Sequence, residues 1–257
     1  MSQADLSFAF AQARLQSRFG ERPAAPDWQH LEATRDLGAV LQVLRGSPLA
    51  RWTSRITTRP PVHELERRLR EEWIRAVDEV AAWQPAHWRD GVRWMRWITY
   101  LPSLQKLARG GRAPAWMRAD PVLGPIVARE PRERGPALAG TPLAPLAAGF
   151  TSPPDVARAW ARHWQTLWPA SRAARAPLER LVVTMRAYRE RLAEAPPEAT
   201  SEDAIRSLEQ RLQRSFRRHP LSPVAAATYV CLMMLDLQRL RGVLAVRALR
   251  DAPVAPP

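Results

Sequence analysis

The sequence predicts an all-α protein made of stacked helical units, two related helical repeats joined by a Pro-rich segment. Three observations carry this. Apolar residues recur at helical spacing along most of the 257 residues. Leu and Ala dominate the aliphatic positions, whereas the strand formers Val, Ile and Thr are sparse. No stretch of four or more residues alternates as a half-buried strand would.

The elements follow in order. Phe8, Ala11, Leu15 and Phe19 form one stripe, closed by Gly20. A second helix is expected from Asp27, as N-cap, through Trp28 and Leu31, with its pattern extending through Leu37, Val40, Leu41 and Leu44 to Gly46. "SPLARW" opens another, with Ser47 as cap and Pro48 in the first turn, where its missing N–H costs little. The clearest element runs from Val62 to Trp83. There Leu65, Leu69, Trp73, Ala76, Val80 and Trp83 are spaced 4, 4, 3, 4 and 3 and define one apolar face. After Pro85 come Trp88, Trp94, Trp97, Ile98 and Leu101, up to Pro102, which should bend or break the helix.

From Arg112 to Pro154 prolines recur too closely for any long helix, and the stretch is expected to be a linker or clamp-like connection with short turns. Helical spacing resumes after Ser152, with Val156, Trp160, His163 and Leu167. It continues with Leu178, Leu181, Met185, Tyr188 and Leu192. Thr200 and Asp203 have capping-box spacing ahead of Ile205, Leu208, Leu212 and Phe216. Ser222-Pro223 starts a final helix that passes Leu249, and "DAPVAPP" is expected to fray. The composition shifts give a partition into a first helical unit (1–111), the Pro-rich connection (112–154) and a second helical unit (155–257).

The formal charge is +14, and Lys106 is the one lysine among 39 basic residues. This charge favours polyanions, acidic lipid surfaces or acidic proteins without choosing among them. The lone Cys231 sits in an apolar run and reads as a buried thiol. That run, 224–235, is too short to span a bilayer, which needs roughly 20 residues, so no transmembrane segment is expected. The start lacks the basic, apolar and cleavage regions of a signal peptide. The expected location is cytoplasmic, or peripheral at the inner membrane face.

Two pairs of segments nearly repeat. "LERRLREEW" (65–73) matches "LEQRLQRSF" (208–216), and "LQKLARG" (104–110) matches "LQRLRG" (237–242). Each amphipathic helix precedes a more apolar one ending in Leu-Gln-basic-Leu. Leu104 and Leu107, like Leu237 and Leu240, are then inward residues of two equivalent helices, as in units that stack to bury their faces.

Four stretches carry a family resemblance: "FAFAQARLQSRFG" (8–20), "SPLARW" (47–52), "YLPSLQKLARG" (100–110) and "ATYVCLMMLDLQRLRGVLAVRAL" (227–249). Together they resemble the C/d-type subunit family of V-type ATPases and archaeal-type ATP synthases. Asp236 and Gln238 stand where that family often has Glu and Asn. The likeness covers both ends, and the chain holds two units where the usual member has three. The resemblance implies a funnel of helices seated on the membrane rotor ring. Such a funnel receives the foot of the central stalk and transmits torque without chemistry of its own. Rotor-ring and central-stalk subunits are the partners it implies, with no cofactor and no metal.

No catalytic constellation is visible. His30, His63, His87, His163 and His219 are scattered, without metal-ligand spacing. His163, on an apolar stripe, reads as a packed residue. "ARGGRAP" (108–114) lacks the Lys-Ser/Thr ending of a phosphate loop and reads as a helix-capping turn. The alternative is a basic nucleic-acid-binding or regulatory protein. Arg93 and Arg96 alternate with Trp94 and Trp97, and Arg214, Arg217 and Arg218 follow Arg206 and Arg211 on one basic helix. Such residues are candidates to hold phosphates and stack bases. The packing role given to Leu240 makes one prediction: Leu240→Asp abolishes folding or assembly. A variant that stays helical by circular dichroism and monodisperse by gel filtration would overturn that role.

Overall fold

The computed structural model describes residues 3–56, 60–194 and 202–250. They form fourteen α-helices: α1 (Gln3–Gly20), α2 (Ala25–Ala33), α3 (Leu37–Arg45), α4 (Ala50–Thr53), α5 (Val62–Trp83), α6 (Ala86–Trp94), α7 (Leu101–Ala108), α8 (Trp116–Ala119), α9 (Gly124–Val127), α10 (Arg134–Ala137), α11 (Pro153–Thr166), α12 (Arg172–Glu194), α13 (Glu202–Arg218) and α14 (Pro223–Arg250). Short 3₁₀ segments lie at Met95–Tyr100, Pro131–Glu133, Leu138–Gly140 and Ala144–Gly149. No strand occurs among the described residues. The cap expected at Thr200 and the "DAPVAPP" tail lie outside them.

The chain divides into two compact units. A split unit joins Met1–Arg93 to Pro169–Pro257, and an inserted unit comprises Trp94–Trp168. The composition shifts in the sequence lie elsewhere, at 112 and 154, because they record proline content and not which segments pack together.

Helix α14 is the axis of the split unit; α1, α3, α5, α12 and α13 all lie against it. Residues Pro223 to Met233 are buried without interruption, followed by Leu235, Asp236, Leu237, Leu240, Val243 and Leu244. A helix apolar on every side is buried on every side, and five neighbours supply the cover. The expected stripe of α5 is buried at Leu65, Leu69, Trp73, Ala76 and Val80. Trp83, at the end of that stripe, is half-buried. Trp88 is fully buried, and its indole N–H donates to the Pro223 carbonyl at 3.0 Å.

Three helix starts differ from expectation. Ser47 does not cap the "SPLARW" helix: α4 begins at Ala50 after Leu49, without a side-chain cap, and Pro48 lies ahead of it. Asp27 is not the N-cap of α2; it lies inside the first turn, and its carboxylate accepts from the Ala24 N–H at 2.7 Å. The pattern from Trp28 to Leu44 is also not one helix. The chain leaves the helical conformation at Thr34, and Asp36 caps a fresh start by accepting from the Ala39 N–H at 2.8 Å. Both helices keep the apolar period, so periodicity alone does not register the break. Ser152 caps α11 as expected, with Pro153 at its first position.

The C-terminus of α2 is closed from α14. The buried Arg247 guanidinium donates to the carbonyls of Thr34 (2.7 Å), Glu32 (2.9 Å) and Leu31 (3.2 Å), and to Val243 on its own helix (2.8 Å). A cation at a helix C-terminus meets both the orphan carbonyls and the negative end of the helix dipole. On the same face Arg239 pairs with Glu32 at 2.7 Å and lies over the Trp28 ring at 4.7 Å.

The inserted unit has its own core. Helix α11 packs on α7 and on the 3₁₀ segment at 144–149. The Pro-rich stretch forms no long helix, but it is folded: Leu123, Ile126, Leu138, Leu143 and Leu146 are completely buried. Asp120 braces it by accepting from the Val122 and Leu123 N–H groups at 2.9 Å each. Proline restricts the backbone to short turns without preventing leucines between the turns from packing. The turn after α7 is a helix cap. Gly110 has φ +75°, its N–H reaches the Leu107 carbonyl, and the Gly111 N–H reaches Lys106 at 3.1 Å.

Leu104, Leu107, Leu237 and Leu240 are all buried. The matched segments nevertheless pack differently. Helices α5 and α13 both lie on α14, whereas α7 lies on α11 in the inserted unit.

Removal of the Arg247 cap leaves the Glu32 and Thr34 carbonyls without that donor, while the Leu31 carbonyl keeps the Thr34 N–H. Arg247→Ala is expected to lower stability by about 3 kcal/mol, measured by urea denaturation. Amide exchange should rise selectively in α2.

Candidate functional site

A cleft of about 280 Å³ opens in the split unit. Three segments build it. Helix α1 ends at Gly20, and its last turn and the following residues bring Arg18, Glu21, Arg22 and Pro23. After α3 the Ser47 hydroxyl donates to the Leu44 carbonyl and accepts from the Leu49 N–H, a local turn that presents Pro48, Leu49, Arg51 and Trp52. Tyr229, Met233 and Asp236 on α14 stand at i, i+4 and i+7 and form the floor.

At one end Arg22 grips Asp236 with both forks, Nε to Oδ2 at 2.8 Å and Nη2 to Oδ1 at 2.7 Å. Nη2 also reaches Glu209 on α13 at 2.9 Å. Burial opposes the Arg22 charge, but the bonds and charges of Asp236 and Glu209 outweigh it and hold its pKa above the ordinary value. The pair is braced by aromatic rings. Phe19 stacks on Phe216 at 4.6 Å, the Arg22 guanidinium lies 6.0 Å from the Phe19 centroid, and Phe216 meets Tyr229 at 6.4 Å. Arg18 is paired as well, with Glu21 and Glu79 at 3.0 Å each.

Arg51 is held differently. Its guanidinium lies over the Trp52 ring at 4.6 Å and donates to the Met233 thioether at 2.9 Å. Burial pushes the Tyr229 phenol up, while the charge of Arg51 and a hydrogen bond from it pull the other way. Among the described residues no carboxylate lies within ion-pair distance of Arg51. The cleft thus combines an apolar and aromatic wall, two arginines held by carboxylates (Arg18 and Arg22) and a third, Arg51, with no carboxylate at ion-pair distance among the described residues. No group of three or more His, Cys, Asp or Glu among the described residues is placed to hold a metal. Cys231 is buried, and its thiol is pushed up to about 12 by desolvation, so it is not a nucleophile here.

The residues singled out from the sequence fall in several places. Arg93, in the split unit, pairs with Asp90 at 2.8 Å and lies 3.9 Å from Asp78. Trp94 and Trp97, in the inserted unit, are buried. Trp94 donates to the Trp160 carbonyl and meets the His163 ring at 4.3 Å. Burial lowers the His163 pKa. Arg96 lies over Trp97 at 4.6 Å. Arg214, Arg217 and Arg218 are on α13, where Arg214 bonds the Gln210 carbonyl and Arg217 covers the Phe19 ring at 5.8 Å. The arginines of α13 thus share one helix, while Trp94 and Trp97 belong to the core of the other unit. The sequence pattern does not single out Arg22, Arg51, Trp52 or Tyr229. The available signal is Asp236, the only acid in a 28-residue helix that is otherwise largely apolar, which requires a cation from somewhere.

Comparison with protein-family models, with curated proteins and with solved structures finds no match to this chain.

Removal of Arg22 leaves the Asp236 carboxylate buried without its bidentate partner. Arg22→Met is expected to lose about 3–5 kcal/mol near pH 8. Burial already pushes the Asp236 carboxyl up against the pull of Arg22, and without Arg22 it rises further. A folded-state pKa above the unfolded one favours the fold at low pH, and that advantage is lost as pH rises through the folded value. The deficit against the parent protein should therefore shrink from pH 8 to pH 5 in urea titrations.

Proposed function

We propose that this chain is a non-catalytic coupling protein of a rotary ATPase. It acts like the C/d-type subunits of V-type ATPases and archaeal-type ATP synthases, linking a central stalk to a membrane rotor ring. The carrying observation is convergence. Three of the four stretches that bear the resemblance are far apart in sequence and meet at one cleft. Arg18 comes from the first, Arg51 and Trp52 from "SPLARW", and Tyr229, Met233 and Asp236 from the last. The Asp236 position, acidic in the resemblance, holds a structural ion pair with Arg22. Such a position keeps its acid for folding and needs no chemistry.

The all-helical build supports the same reading, as does the cover that α5 and α13 give to a shared axis. The similar segments 65–73 and 208–216 then descend from one duplicated unit whose copies now serve one core. Rotor-ring and stalk proteins are the partners, and the chain sits at the membrane surface through them. No helix among the described residues is long and apolar enough to cross a membrane. Nucleic-acid binding is less favoured, because the tryptophans that would stack bases, Trp94 and Trp97, are buried in a core.

The test is affinity purification of the tagged full chain from its own cells in mild detergent, followed by mass spectrometry. Rotor-ring and central-stalk proteins should co-purify in near-stoichiometric amounts. Recovery of the folded chain without them, or with nucleic acid released by salt, would overturn the reading.

A further inference from the structure

We propose that the cleft between the end of α1, the α3–α4 turn and α14 binds a monoanionic carboxylate attached to a single apolar group, with Arg51 as its counter-ion. The guanidinium has five N–H donors in a planar fork that matches a carboxylate. Its side-chain acceptor is the Met233 thioether, which is weak and uncharged. Among the described residues it is also the only base of the lining without an acid partner: Arg18 holds Glu21 and Glu79, and Arg22 holds Asp236 and Glu209. Trp52 lies beneath it and limits its orientation before any ligand arrives.

The surroundings narrow the ligand. Leu49, Trp52, Tyr229 and Met233 are buried and provide apolar and aromatic wall beside the cation. At about 280 Å³ the cleft is at the small end of ligand pockets, which run from ~300 to 1,000 Å³. That suits one ring or a short chain. The lining holds three arginines, Arg18, Arg22 and Arg51, and two carboxylates, Glu21 and Asp236, a surplus of one positive charge that a single carboxylate balances and a multiply charged phosphate exceeds. The carboxylate can come from a free acid or from the C-terminus of a polypeptide. The site is independent of the coupling role, because it requires only the isolated chain.

Isothermal titration calorimetry of the purified full chain at low salt tests it with three probes: phenylacetate, its neutral analogue phenylacetamide, and N-acetylphenylalanine as a chain-terminus mimic. Phenylacetate or N-acetylphenylalanine should bind saturably at one site, at least tenfold more tightly than the amide. The tighter of the two acids names the source. Arg51→Gln, with its fold checked by circular dichroism, should reduce acid binding to the level of the amide. No saturable binding of either acid up to about 10 mM, or equal binding of acid and amide by the parent protein, would overturn the proposal without recourse to any variant. So would undiminished acid binding by folded Arg51→Gln.

Discussion

The split unit depends on how α14 accommodates charge. Five other helices pack on α14, and its buried face carries two ionisable groups away from solvent, Asp236 and Arg247. Each is satisfied by the N-terminal part of the chain. Arg22 meets Asp236 in a two-pronged bond, and Arg247 closes the open end of α2. Packing of apolar faces tolerates sliding and repacking, because any leucine is much like another. Charge-assisted bonds to a fixed atom do not. These two contacts, about three helical turns apart on α14, set the register of the N-terminal helices against the C-terminal one. Their energetic contribution is modest, since burial of the ions offsets most of their attraction; what they supply is uniqueness.

Much of this architecture is legible in the sequence, and the boundary of legibility is physical. The all-α class, the apolar face of α5, the Ser152 cap, the extent of α14 and the inward leucines at 104, 107, 237 and 240 all follow from period and cap chemistry. Those properties are local. The break between α2 and α3 is invisible to them, because Thr34 to Asp36 interrupts the backbone without interrupting the apolar rhythm. The compactness of 112–154 escapes for a different reason. Proline reports which backbone conformations are barred, and the leucines between the prolines decide whether the turns pack. Periodicity and cap chemistry do not reveal the cleft; of its lining, only Asp236 stands out by residue type. Arg22 and Arg51 stand far ahead of their α14 partners in the chain, and with so many arginines nothing in the spelling marks either one.

That arginine excess has no single use in the fold. Some guanidiniums cap helices, some pair with nearby carboxylates on the same helix, and several cover aromatic rings, as Arg239 does at Trp28 and Arg217 at Phe19. Surface pairs of this kind contribute little to stability. The guanidinium over a ring contributes more, because it shields apolar surface while keeping its charge wet. Net charge is then a poor guide to function here. The informative cation is Arg51, in a formed cleft with no carboxylate at ion-pair distance among the described residues.

The division of the chain into a split unit and an inserted one also bears on its biogenesis. A ribosome delivers residues in order, and domains generally fold as they emerge. The inserted unit is contiguous, so Trp94–Trp168 can close on its own core while synthesis continues. The split unit cannot. Until α14 emerges, the apolar faces of α1, α3 and α5 have no axis to cover, and Arg22 has no carboxylate to grip. The N-terminal helices can pack on one another, α1 on α5 and α3 on α4, but their faces toward α14 stay uncovered until the last helix is made.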